Sequence, residues 1–282
     1  MATPIVWTCP TCQHAVSSAF CPSCGEKSLQ PKDLSIRSLL AQAFATFTNV
    51  DGKVIRSFRA LLFQPGSLTF AFLIGKRKAF VAALPLFLLA NVLFFATQTV
   101  GPVKIFSSSL ASHLQLQDWK ELAHTLVQQK LATSGEPLAA YAARFDRAVA
   151  LNAKSLVILM TLPLLALLPA LFRGAHRPYV FHAVFALHVY AFNLVLLSVL
   201  LLLTAAMAAL GSGDFVQSAL ADHMLFAVYL LGNAAYLYAA TRVAYGASAL
   251  GLLWKSVALT IIAAVSVVGY RFALFLITLY AT

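Results

Sequence analysis

Four cysteines, Cys9, Cys12, Cys21 and Cys24, form two Cys-Pro-x-Cys pairs within sixteen residues, and the chain contains no other cysteine. Two such hairpins eight residues apart can bring four thiolates to one point, the ligand set and geometry of a closed structural zinc site. Pro10 and Pro22 stiffen the two turns, and Gly25 follows the last ligand where a tight knuckle needs an unhindered backbone. Two disulfides would require an oxidising compartment, a redox pair would be a single C-x-x-C beside a βαβ pattern, and iron shares the S4 preference. Zinc is the expected cofactor. Thiolates that must stay reduced to bind it place the N-terminus in a cytosol-like compartment. So small a ribbon cannot bury a core of its own, so its metal is folding energy first. Residues 1–30 carry only Glu26 and Lys27 as charges, so the phosphate-neutralising term of nucleic-acid binding is missing and none is expected as partner.

What positions this ribbon is a membrane-type chain. Of 282 residues 61% are hydrophobic and 10% charged, with a mean hydropathy of +0.83, against roughly 25% charged in soluble domains. Charge-free runs locate the crossings: 25 residues between Lys78 and Lys104, 18 between Lys154 and Arg173, 36 between Arg177 and Asp214, and 19 between Asp222 and Arg242. A last apolar segment, Ser256 to Thr282, is interrupted by Arg271. Crossing the hydrocarbon takes about 17 to 25 helical residues. The expected fold is an all-α polytopic membrane protein with an N-terminal zinc ribbon. It divides into a ribbon (1–30), basic amphipathic interfacial helices (31–78) and a transmembrane domain (79–282). The spans fall near 79–99, 155–172, 180–209, 224–244 and 256–280, and residues 100–154 form an outer helical loop. No signal-peptide pattern precedes them.

With the N-terminus inside, the inner segments hold 13 of the 20 Lys and Arg against Glu26, Asp33 and Asp51, while the outer loops net zero. The positive-inside rule therefore agrees with the reduced thiolates: N-terminus cytoplasmic and, with five spans, C-terminus outside. Between ribbon and first span, Ile36, Leu39, Leu40, Ala43, Phe44 and Phe47 recur at helical spacing, and Val54, Ile55, Phe58, Leu61 and Leu62 repeat the pattern after Asn49-Val50-Asp51-Gly52. Lys53, Arg56 and Arg59 lie off the second apolar stripe and, with Lys76, Arg77 and Lys78, form a basic set suited to the anionic lipid of the cytoplasmic face. Packing of both helices on the ends of the bundle is the alternative.

Inside the spans the chemistry is sparse. No Asp or Glu falls within them, which removes the usual carboxylate relay. His182 and His188 lie about 240° apart around one helix and cannot share a metal; with Asn193 they make a candidate intramembrane polar site. Arg271 is expected to reach the outer face, with Asp214 and Asp222 as counter-ions. His113 and His124 in the outer loop read as solvated surface histidines. No nucleophile, base and orienter set occurs locally, and no phosphate loop or hydrolase motif is present.

The Cys-Pro-x-Cys-Gly ribbon, the run Arg59-Ala-Leu-Leu-Phe-Gln-Pro65-Gly66 with Gly75-Lys-Arg-Lys-Ala-Phe80, and Arg177-Pro-Tyr-Val-Phe-His182 continuing to His188 and Phe192 together resemble a bacterial inner-membrane family of unknown function. The resemblance implies topology and carries no activity. The residues favour a non-enzymatic protein whose ribbon docks a cytosolic or membrane protein partner. A small transporter using Pro85, Pro163, Pro169, Asn91, Asn233 and the histidine pair is the alternative, and an intramembrane enzyme or haem protein a second.

Overall fold

The computed structural model describes residues 6–38, 52–99, 105–212, 219–246 and 249–282. The ribbon opens on a two-stranded antiparallel pair, β1 (Trp7–Thr8) and β2 (Ala15–Val16), with Trp7 opposite Val16. Cys9, Val16 and Cys21 are its buried centre, a core too small to hold without further organisation. The expected amphipathic helix over residues 36–47 falls mostly outside the described residues.

The second amphipathic helix forms as expected, α1 (Lys53–Phe63), with Ser57, Ala60 and Leu61 buried. Gln64-Pro65-Gly66 ends it, and a further short helix follows, α2 (Ser67–Leu73). Gly66 has φ +81°, and a Cβ there would lie 2.5 Å from the Ala240 carbonyl, so only glycine allows both the turn and the close approach. α2 departs from the interfacial reading of residues 31–78. It buries Leu68, Thr69, Ala71 and Phe72 against the bundle instead of lying at its surface.

The bundle comprises α3 (Ala83–Thr97), α4 (Leu110–Gln115), α5 (Lys120–Ser134), α6 (Leu138–Leu156), α7 (Thr161–Leu171), α8 (Tyr179–Ala209), α9 (Ala219–Tyr245) and α10 (Ala249–Ala281). Among the described residues, four helical stretches are long and apolar enough to cross a membrane: Leu138–Leu171, Tyr179–Ala209, His223–Tyr245 and Gly251–Ala281. Two spans differ from the sequence expectation. The first is a 15-residue helix instead of 79–99, because the chain at Val81-Ala82 is still extended and tied to α1. At 1.5 Å per residue it reaches about 22 Å, short of the hydrocarbon thickness. The second starts at Leu138 instead of 155, since α6 continues through the 3-10 turn Val157–Met160 into α7. Part of the expected outer loop is thus the extension of a span.

α8 is the axis of the bundle. Every residue from Val180 to Val195 is buried, and α2, α3, α7 and α9 pack around it. α10 shows how a peripheral span divides. Leu252, Leu259, Ala263, Tyr270 and Leu274 face inward, while Leu253, Val257, Ile261, Val265 and Val268 stay exposed. A helix whose outer face is as apolar as its inner one is matched to lipid. Serine and threonine hydroxyls in the spans return to their own helix, as Ser198 to Leu194 O, Thr241 to Leu237 O and Ser266 to Ile262 O, which pairs these groups within the apolar interior.

Candidate functional site

Each half of the ribbon makes the same knuckle. The Gln13 N–H donates to Cys9 O (2.9 Å) and the Gly25 N–H to Cys21 O (2.7 Å), folding each Cys-Pro-x-Cys back on itself. The residue after each pair adopts positive φ: Gly25 at +69° and Gln13 at +62°. Gly25 is legible from sequence as such a position; Gln13 is not, because it is no glycine, although both stand immediately after the second cysteine of a pair. The four sulfurs lie within 4.8 Å of one another, with Cys9–Cys24 and Cys12–Cys21 at 3.4 Å. A disulfide requires about 2.05 Å, so all four thiols are free. Tetrahedral ligands at about 2.3 Å from a zinc ion are separated by about 3.8 Å, inside the range observed, so the donor set fits a tetrahedral thiophilic metal.

The thiols are also electrostatically unequal. Burial opposes ionisation of Cys21, but the Cys24 and Ser23 N–H groups and the Cys12 and Cys24 sulfurs outweigh it and bring it down to about 6. At Cys24 the Glu26 N–H favours the thiolate, yet burial and the other three sulfurs push the thiol up to about 12. Four thiolates at one point repel one another unless a cation sits among them.

The ribbon is fastened to the bundle by the loop after α2. The Lys78 N–H donates to Glu26 Oε2 (3.1 Å) and its Nζ to Cys24 O (2.9 Å). Glu26 is buried, and Oε2 also accepts from Thr11 Oγ1 (2.8 Å). A Cβ on Gly25 would collide with Lys78 Nζ, a second reason for glycine there. Arg77 donates to Asp33 O (3.2 Å) and lies over the Phe72 ring at 4.8 Å; burial lowers its affinity for its proton, against the pull of Asp33 and Glu26. Asp33 accepts from Lys27 (3.2 Å) and the Gln30 N–H (3.0 Å); burial raises its pKa, but these donors outweigh it and hold it below the usual range. Of the basic set expected at the lipid surface, Arg56 and Arg59 are exposed, Arg56 donating to Ala79 O, whereas Arg77 and Lys78 hold the ribbon.

Behind this seam lies a cavity of about 580 Å³. The ribbon and the loop after α2 line one part of it, and Leu68, Phe72, Val184 and His188 line another.

His182 and His188 occupy separate places, as their angular separation requires. His182 Nδ1 is 2.8 Å from Tyr245 Oη, and its ring stacks on that tyrosine, within a cluster including Phe172, Phe181 and Phe185. His188 Nδ1 is 2.8 Å from Thr69 Oγ1 of α2. Asn193 donates to Val189 O in its own helix and joins neither. No pair of these three residues shares a site.

At the other end, His113 corrects the surface reading. It is 2% exposed, sits 4.9 Å from the Phe275 ring, and accepts from Trp119 Nε1 at 3.3 Å. Burial, with Arg271 nearby, lowers it to about 4. His124 is exposed as expected. Arg271 donates to Ser108 Oγ (3.3 Å) and lies in the field of Asp118; of the expected counter-ions, Asp214 and the Asp222 side chain lie outside the described residues. The segment holding Ser108 and His113 folds back over α10, and partners 163 residues apart, as Arg271 and Ser108 are, lie beyond the reach of spacing arguments.

Residues 51–95, which are α1, α2, the fastening loop and most of α3, match the model of a family described as "Protein of unknown function (DUF3667)". No curated protein matches the chain, and no solved structure does.

Proposed function

We propose that this is a non-enzymatic assembly protein of the bacterial cytoplasmic membrane. Its ribbon carries one zinc ion on the cytoplasmic side and docks a cytosolic or membrane protein, and the C-terminus lies outside. The observation that supports this reading most is the attachment of the ribbon. Lys78 fixes the metal-ligand loop to the bundle, while Phe20 and Val6 of the same ribbon stay 59% and 67% exposed. A rigid, metal-held element with large apolar side chains in solvent at a membrane surface is suited to protein contact. Both histidines of α8 are meanwhile paired, His182 with Tyr245 and His188 with Thr69 of α2, and a nucleophile, base and orienter are not brought together among the described residues.

A photocrosslinking residue at Phe20 in cells tests the docking. A discrete adduct with one polypeptide, abolished by Cys21→Ser, is expected; the same adduct from a crosslinker at exposed Leu122 in the outer segment, or none at Phe20, would overturn it. Reporters ahead of Met1 and after Thr282 test the orientation, with cytosolic and external activity expected respectively. The transporter reading keeps one supporting observation, the cavity that reaches His188. His188→Gln in a folded protein would abolish a transport function and spare a docking one.

A further inference from the structure

The cavity between ribbon and bundle has two chemically different parts. At the membrane surface it is bordered by Lys27, Lys53, Lys76, Arg77 and Lys78 against Glu26 and Asp33. The two carboxylates are already engaged, Glu26 with Thr11 and the Lys78 N–H, Asp33 with Lys27 and the Gln30 N–H. Lys78 is engaged too, at Cys24 O. Lys53 and Lys76 make no ion pair or side-chain hydrogen bond among the described residues, and the Arg77 guanidinium donates to a carbonyl and lies over a ring, with Asp33 and Glu26 acting on it only through their field. With five cations against two carboxylates, this part carries a net charge of about +3, and Lys53 and Lys76 are its unpaired cations among the described residues.

The other part is apolar and reaches inward. Phe72, Val81, Val184 and Leu68 line it, with His188 as a polar group whose Nδ1 is taken by Thr69. His188 is nine residues into α8, about 14 Å from its start. A space that begins among cations at the headgroup level and ends among aliphatic side chains well inside the hydrocarbon level matches an amphiphile. A small inorganic anion would use only its first part. The volume lies within the usual range for small-molecule sites. The segment matching the family model, residues 51–95, contributes most of the lining.

We propose that this cavity is a binding site for one anionic phospholipid, its phosphate set among Lys53, Lys76 and Arg77 and its upper acyl chain against Phe72, Val81 and Val184. The proposal rests on the membrane placement of the chain and is independent of the docked protein partner. The ribbon supplies one wall, so occupancy depends on its metal.

The test uses the full-length, metal-loaded protein in nanodiscs of zwitterionic phosphatidylcholine doped with photoactivatable phosphatidylglycerol, with adducts mapped by mass spectrometry. Adducts should concentrate on residues 68–83 and 184–188. Lys53→Gln/Lys76→Gln should reduce them about 25-fold, from roughly fivefold for each cation near an anionic headgroup. Arg173→Gln, an exposed cation outside the cavity, should leave them unchanged. Equal adducts from photoactivatable phosphatidylcholine, or adducts spread over exposed faces such as that of α10, would reduce the observation to annular lipid and overturn the proposal. Full competition by glycerol phosphate in solution would do the same, assigning the cations to a soluble anion. Should the double variant fold poorly, Val184→Phe, which fills the apolar part and retains every cation, should displace the lipid equally; retained labelling in that variant would also sink the proposal.

Discussion

The bundle half-buries an arginine at each end, and the surroundings differ. Arg271 lies under a cap closed by aromatic rings: Trp119 packs on Phe272, and His113 on Phe275 and Phe145. Arg77 lies over a single ring, Phe72, beside open space, and its neighbours belong to a ribbon that cannot fold on apolar contact alone. One end is organised by packing and the other around four clustered thiols that could hold a metal ion. A cap closed by side chains has little to exchange with a ligand, whereas a cavity walled by a separately stabilised element can be occupied and can be opened.

The metal should dominate the ribbon end. Cys→Ser at any of positions 9, 12, 21 or 24 should lose the ion and unfold the ribbon, since structural zinc contributes on the order of 10 to 16 kcal/mol in peptides of this type. Metal analysis should give one zinc per wild-type chain and none in the variant, while proteolysis of the outer cap stays unchanged. Truncation should separate the ends in the opposite sense. Phe275→Ala removes a fully buried ring from the cap and should cost about 3 to 5 kcal/mol, seen as faster unfolding in detergent without loss of metal. Phe72→Ala borders space already and should cost less.

Acid should affect the cap through His113. Its folded value of about 4 lies below the ordinary 6.5, so the unfolded cap binds the proton more tightly. Stability present above pH 6.5 should fall as pH drops toward 4, and His113→Phe should flatten that slope in hydrogen exchange of α4 to α6. The smallest effects should come from the paired histidines of α8. His182→Gln and His188→Gln each exchange one interhelical hydrogen bond for another, so each should cost about 0.6 to 2 kcal/mol in thermal unfolding.

Features encoded within a few residues were legible. The paired Cys-Pro-x-Cys pattern brings the four thiols together, and charge-free length located α8 within a residue of its observed start. Features depending on distant partners were not. α2 is seven residues long, too short to show a period, and is held by Thr69 and Gly66 against α8 and α9. Lys76-Arg77-Lys78 reads as a lipid anchor on charge alone, and only the position of Glu26 and Asp33 in space turns two of the three inward. His113 is polar in any hydropathy scan, yet α10 brings Phe275 over it.

The central claim is that metal, ribbon and membrane bundle form one unit through Lys78. Hydrogen exchange at the Lys78 amide, compared between metal-loaded protein and protein stripped by a chelator, tests it most directly, because that N–H is bonded to Glu26 of the ribbon and to nothing in the bundle. Removal of the metal should speed exchange at Lys78 by at least tenfold and leave the amide of Leu187, deep in α8, unchanged. Equal protection of Lys78 with and without metal would mean that the ribbon is not what holds this loop, and would contradict the account.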